Sequence, residues 1–259
     1  MRQYKISNVI QQTLNVKVLQ LALLDGEDVS FLPGQHIDIS FADDEEILSK
    51  IYNSFSISSS TADRKNLEIV VPDLGGFRNK LYNALPETIL NVNGPYGEFV
   101  YIHNTEYLPV FIAGGSGIAP IMSMIRYVNT KYPDTPFTLF YTCKTENDII
   151  FFNELNDIKR VNTMFEFYLF TTRSGSNEPE FDNDCNPHLS VDKIGSYELA
   201  ELNIHWIKGY INESAIINNI KRLSSRIYYI CGPYEMTVMV TFILQKLRVS
   251  HSKIKSELW

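Results

Sequence analysis

The chain has 259 residues, 44% of them hydrophobic and 20% charged, which is the composition of a globular protein long enough for two ordinary domains. Its formal net charge of −7 speaks against a general nucleic-acid binder, which needs a cationic face. Three scattered cysteines, Cys143, Cys185 and Cys231, exclude a disulfide framework and a zinc pattern, and they fall short of the four ligands of an iron–sulfur cluster.

The N-terminal segment, Met1 to Lys5, lacks the apolar run of a secretory signal. No stretch approaches the roughly 18 apolar residues of a membrane span. A soluble, cytoplasmic protein is expected. The next hundred residues read as strands. Val16 to Leu24 is a β-rich apolar run closed by Asp25-Gly26. Ile37, Ile39 and Phe41 alternate with polar residues, and Phe55 and Ile57 alternate with serines, as half-buried strands do. Leu67 to Val71 ends at Pro72. Turn residues separate these runs at Pro33-Gly34, Asp73 to Gly76 and Gly94 to Gly97. Short strands at this spacing predict a small antiparallel β-barrel, interrupted by one helix over Phe77 to Leu85. The run Asp43 to Glu46 reads as a solvated acidic loop.

The character changes near Glu106, with a linker expected within Ile102 to Glu106. Leu108 to Ala113 is a compact apolar strand that runs into Gly114-Gly115-Ser116-Gly117 and a helix over Pro120 to Val128. Strands follow at Phe137 to Tyr141, Phe165 to Thr171 and Ile227 to Ile230, with helices at Phe151 to Ile158 and Met236 to Leu247. Strands alternating with helices predict an α/β domain with a parallel sheet. Asn177 to Pro187 is polar and reads as an exposed loop.

Ala113 to Pro120 carries the strongest physical signal. Glycines between a strand and a helix let backbone approach a phosphate, and a helix N-terminus offers free N–H groups. Pro120 stands where the usual dinucleotide fingerprint has its third glycine, so this is a variant of that fingerprint. By itself the segment is equally a tight turn without a ligand. Tyr229 to Met236 repeats the strand–turn–helix geometry and puts Cys231 at a strand's carboxyl end, where it either faces a ligand or is an inert buried thiol. The five histidines show no paired metal spacing, so no metal site is expected.

Taken in order, these landmarks resemble the ferredoxin–NADP reductase family. They are Phe31-x-Pro33-Gly34-Gln35, the Phe55-Ser56-x-Ser58-Ser59 strand, Gly75-Gly76-Phe77, Gly94-Pro95-x-Gly97-x-Phe99, the loop to Pro120, Cys231-Gly232-Pro233 and the terminal Glu257-Leu258-Trp259. The resemblance implies an FAD-binding barrel over 1–104 and an NAD(P)-binding domain over 105–259. It matches Phe55 to the aromatic beside the flavin and Ser56 to the hydroxyl near flavin N5, where hydride arrives. Gly75, Gly76 and Phe77 match the turn that opens the flavin-side helix. Gly115, Ser116, Gly117 and Pro120 match the nicotinamide dinucleotide's pyrophosphate loop. Cys231, beside Gly232 and Pro233, matches the cysteine near the nicotinamide, Glu257 an acidic residue that orders the active site, and Trp259 a terminal aromatic that covers the flavin and must swing aside.

One departure stands out. The family usually has arginine, binding the FAD pyrophosphate, where this chain has Asn53. It favours a hydroxyl where this chain has Arg78, so Arg78 is expected to supply the missing cation. The implied function is an FAD-dependent NAD(P)H oxidoreductase that passes electrons to a ferredoxin-like, flavodoxin-like or oxygenase component. Any iron–sulfur centre would then belong to the partner. The alternatives are a free-flavin or ferric-chelate reductase and a non-catalytic electron-transfer subunit. Arg173 and Lys144 are placed to meet the 2′-phosphate of NADPH, while the acidic residues Glu178, Glu180, Asp182 and Asp184 favour NADH.

Overall fold

The computed structural model describes residues 1–25, 28–42, 53–173 and 204–258. Trp259, Cys185, the run from Asp43 to Glu46, Gly26 and the polar stretch Asn177 to Pro187 lie outside the described residues. The contacts divide the chain into two compact units. One is Met1–Thr105 with Ser116–Pro133, and the other is 106–115 with the described residues from 134 onward.

The first unit is built on six strands: β1 (Arg2–Thr13), β2 (Val16–Leu23), β3 (His36–Phe41), β4 (Asn53–Ser56), β5 (Asn66–Pro72) and β6 (Ile89–Tyr96). Their order is β4-β3-β6-β1-β2-β5, and every pairing is antiparallel. An antiparallel bridge between Ile57 and Ile69 ties the chain after β4 to β5, so the two outer strands meet and the sheet closes as a barrel. Alternate residues point inward, and Ile6, Leu19, Ile37, Ile39, Phe55, Ile69 and Leu90 form the core. Helix α1 (Gly76–Tyr82) buries Leu81 against this core. It ends about one turn earlier than the apolar pattern to Leu85 implies.

Two strands of this unit are not foreseen from the sequence. β1 is mostly polar, with Tyr4 and Ile6 buried between exposed or half-buried neighbours. The Gly94 to Gly97 stretch, expected as a turn, is partly strand. β6 runs through Gly94 and Pro95 to Tyr96, and an irregularity in its pairing with β3 between His36 and Asp38 absorbs the misfit.

The second unit is a parallel sheet, as expected. Its strands are β7 (Leu108–Gly114), β8 (Phe137–Cys143), β9 (Phe165–Thr171), β10 (His205–Lys208), β11 (Arg226–Gly232) and β12 (Ile254–Leu258), in the order β10-β9-β8-β7-β11-β12. The inner strands are near-continuous apolar runs because both faces are covered. The helices are α2 (Ile118–Lys131), α3 (Phe152–Val161), α4 (Glu213–Asn219) and α5 (Tyr234–Lys246). The edge strands β10 and β12 and the short α4 have no apolar run to announce them. By its contacts α2 belongs to the first unit, although the chain enters it from β7. Among the described residues no helix is long and apolar enough to cross a membrane, and no cluster of three or more His, Cys, Asp or Glu is arranged to hold a metal.

The chain turns at Gly34, where φ is +107° and an added methyl group would lie 2.1 Å from the carbonyl oxygen of Phe99. Both the backbone conformation and the space admit only glycine. Gly34→Ala is therefore expected to cost about 3 kcal/mol or more, read as a lowered midpoint in urea unfolding.

Candidate flavin and nicotinamide sites

In the first unit the site is built on β4. Asn53, Ser54, Phe55 and Ser56 pair with Ile39, Asp38, Ile37 and His36 of β3. The pleat sends Phe55 into the core, where it is 1% exposed. Ser54 faces outward and donates to Asp38 Oδ1 at 2.6 Å. Ser56 is 3% exposed, and its Oγ has no hydrogen-bond partner among the described residues. Burying a hydroxyl without a bond is costly, and native structures rarely do it without a reason.

Helix α1 stands next to this strand. The Phe77 ring packs 5.4 Å from that of Phe41 and 6.4 Å from that of Phe55. The Arg78 guanidinium lies 5.0 Å over the Phe55 ring, and partial burial lowers its pKa from the ordinary value. Gly75 and Gly76 take φ values of +78° and +52°, and an added methyl at either would meet nothing within 4 Å. An orphaned buried hydroxyl, two open backbone positions and a half-buried cation stacked on an aromatic fit the polar ring edge and pyrophosphate of a flavin dinucleotide. Asn53, half-buried at the head of β4, carries no charge to add to that set.

In the second unit the features gather at the carboxyl ends of β7 and β11, where an open parallel sheet binds ligands. Gly114 and Gly232 pack against each other. A methyl on Gly232 would lie 3.0 Å from Gly114 Cα, and one on Gly114 would lie 2.7 Å from Pro233 Cδ. The next residue, Gly115, has φ +52° and open space where a side chain would be. Its carbonyl accepts from the Tyr141 hydroxyl at 3.2 Å, and that hydroxyl accepts from the Ile150 N–H. Burial raises the Tyr141 pKa well above 10, so it stays a neutral donor. Tyr141 is a positioning residue that the sequence announces only as part of an apolar strand.

Ser116 is half-buried and Gly117 buried in the turn before α2. Pro120 falls in the first turn of that helix, where its missing N–H is not needed. The glycine-rich turn at a helix start and the open Gly115 fit a dinucleotide's phosphates. Pro233 precedes α5, and Thr237 Oγ returns a bond to the Gly232 carbonyl at 3.4 Å. Cys231 has no exposed surface, and it lies in register between Ala113 of β7 and Glu257 of β12. The sheet thus brings Cys231 and Glu257 side by side, with Glu257 half-buried. Cys143 is buried as well, and burial pushes its thiol up to about 12, which keeps it protonated and unreactive.

Two family models match the chain. The oxidoreductase FAD-binding domain family matches residues 3–101, and the oxidoreductase NAD-binding domain family matches residues 111–241. A closed antiparallel barrel and a parallel sheet with these two matches define a two-domain flavin- and nicotinamide-binding oxidoreductase. The chain belongs to this ferredoxin reductase-like family of FAD- and NAD-binding oxidoreductases. It is 25% identical over 255 residues to the reductase component of propane 2-monooxygenase from Gordonia sp. (strain TY-5), covering 96% of this chain and 65% of that protein. It is 28% identical over 173 residues to the glycine betaine monooxygenase reductase subunit of Pseudomonas aeruginosa, covering 66% of this chain and 46% of that one. The chain thus spans less than two thirds of the length of either relative. The FAD/NAD-binding domain of a Vibrio cholerae nitric oxide dioxygenase superposes with a TM-score of 0.78 at 17% identity, covering 100% of this chain and 98% of that one, which shows a shared fold.

Replacing Ser56 by alanine removes a buried hydroxyl that has no protein partner. The flavin-free protein is expected to gain about 1 kcal/mol in urea unfolding, whereas a loss of that size would show that the hydroxyl is bonded within the protein.

Proposed function

We propose that the chain is an FAD-dependent NAD(P)H oxidoreductase, with residues 1–104 as the FAD-binding domain and 105–259 as the NAD(P)-binding domain. The observation that carries this reading is the buried Ser56 hydroxyl, left without a protein partner in a barrel that matches an FAD-binding family. FAD, when bound, supplies an acceptor for hydride and a donor of single electrons. The chain's own residues bind and orient. Ser56 offers a hydrogen bond to the flavin's polar edge, with Phe55 beneath the strand and Asn53 at its head. Gly75, Gly76, Phe77 and Arg78 receive the pyrophosphate, Arg78 replacing the cation that Asn53 lacks. Gly115, Ser116, Gly117 and Pro120 receive the phosphates of the nicotinamide dinucleotide. Gly232 and Pro233 line the nicotinamide end, Cys231 is buried directly before them on β11, and Glu257, beside it in register, orders that end. Trp259, which lies outside the described residues, is the candidate aromatic cover for the flavin.

The names of the relatives support an oxygenase component as electron acceptor, with ferredoxin-like and flavodoxin-like carriers fitting the same chemistry. The sparse cysteine content fits cytoplasmic residence. Lys144 and Arg173 are exposed at the carboxyl ends of β8 and β9, where the Arg173 N–H donates to the Lys144 carbonyl at 2.8 Å. That pair of cations supports NADPH as a donor beside NADH.

Anaerobic titration of the purified protein with NADH and NADPH tests the reading. At least one of the two is expected to abolish the oxidised-flavin absorbance stoichiometrically, and a bound flavin that neither reduces would overturn it. Arg78→Ala is expected to weaken FAD binding about tenfold or more, since a charge-assisted contact to phosphate is lost. Unchanged affinity would remove Arg78 from the site.

A further inference from the structure

We propose that Arg126, Ser123 and Glu68 form a positioning device that holds the segment Ile57 to Ser60 against helix α2 and thereby fixes the aim of Ser56. The proposal rests on the flavin reading of the first unit.

The need for such a device follows from where β4 stops. Its ladder with β3 ends at Ser56, opposite His36. Beyond that point Ile57 keeps one bridge to Ile69, and its N–H donates to the Gln35 carbonyl at 2.9 Å. Ser58 and Ser59 continue inside the protein, at 0% and 6% exposure. Their carbonyls are buried and lack ladder partners, so they must be met elsewhere.

Both are met by side chains of α2. Arg126 Nη1 donates to the Ser58 carbonyl at 2.6 Å, and Ser123 Oγ donates to the Ser59 carbonyl at 2.9 Å. Ser123 and Arg126 are three residues apart and share one face of the helix. The same Arg126 nitrogen lies 2.6 Å from Glu68 Oε1 on β5, which also accepts from Ser58 Oγ at 2.8 Å. Ser59 Oγ accepts from the Glu68 N–H at 3.1 Å, and the Ser58 N–H donates to the Glu68 carbonyl at 2.8 Å. Two consecutive residues of the segment are thus bonded through backbone and side chain to one helix and one strand.

The Arg126 and Glu68 side chains are only 14% and 11% exposed. At that burial desolvation offsets much of the attraction, so the pair adds little net stability. Its geometry is demanding, because each partner is also tied to Ser58. The network therefore acts as a register device. It sets the path of Ile57 to Ser60, and through it the position of Ser56 at the segment's start.

The test combines hydrogen exchange on the whole 259-residue chain with FAD titration of the flavin-free protein. The variants are Arg126→Met, Arg126→Lys and Ser123→Ala. Ser123→Ala deletes one bond and no charge, so it keeps the test open if Arg126→Met does not fold. Arg126→Met and Ser123→Ala are each expected to raise amide exchange of peptides covering 53–60 at least tenfold, to leave β1 and β2 unchanged, and to weaken FAD binding at least fivefold. Arg126→Lys, which keeps a charged donor, is expected to recover most of both. Exchange at 53–60 that stays at the wild-type rate, or that rises equally in β1 and β2, overturns the proposal. The exchange arm uses no flavin. A wild-type protein that fails to bind FAD would refute the flavin reading, while the device would still stand or fall on exchange.

Discussion

The constraint on which the first unit depends is the accounting of hydroxyl groups between Asn53 and Ser60. A strand with a serine at every second position cannot enter a closed barrel unless each buried hydroxyl finds a partner. Ser54 finds Asp38, Ser58 finds Glu68, Ser59 takes the Glu68 N–H and Ser60 takes the Ala62 N–H. Ser56, between Ser54 and Ser58, has none among the described residues. A segment that satisfies its hydroxyls on both sides of one exception has the form of a binding strand rather than a packing strand. The flavin reading follows from that exception, and the family match places it in an FAD-binding domain.

A steric constraint does the equivalent work in the second unit. Strands β7 and β11 lie side by side, and both end in glycine, with room for no methyl group at Gly114 or Gly232 without displacing Pro233, Met236 or the opposing backbone. The chain can leave both strands at the same height only because neither carries a Cβ there. Gly115 then turns into open space, held by the buried Tyr141 hydroxyl, whose pKa burial raises. The turn is thus set by what packs behind it, and Gly115 keeps open space where a side chain would stand.

Much of this was legible in the sequence, for identifiable reasons. The inner strands β7, β8, β9 and β11 are near-continuous apolar runs because they are buried on both faces, and the alternation in β3 and β4 reports a barrel wall. The glycine turns at Gly34, Gly75-Gly76 and Gly114-Gly115 mark backbone that a side chain would obstruct or strain. What was not legible depends on contacts far apart in the chain. β1 and β12 are polar strands whose existence is decided by their neighbours. α2 follows the nucleotide turn in sequence yet packs with the barrel. Glu68 and Arg126 are 58 positions apart, and neither residue type in its local pattern predicts a buried pair. Cys231 at a strand end left open whether it faces a ligand or is simply buried, and its register beside Glu257 emerges only once β12 is in place.

Of the hydroxyls between Asn53 and Ser60, the one that the barrel buries without a partner among the described residues is placed to meet a flavin. Calorimetric titration of FAD into the flavin-free wild-type protein and into its Ser56→Ala variant separates that role from a packing role. Saturable one-to-one binding by the wild type and affinity about tenfold weaker in the variant are expected, the size of one hydrogen bond to a buried polar group. Equal affinity in the two proteins, or no binding by either, would overturn the flavin reading.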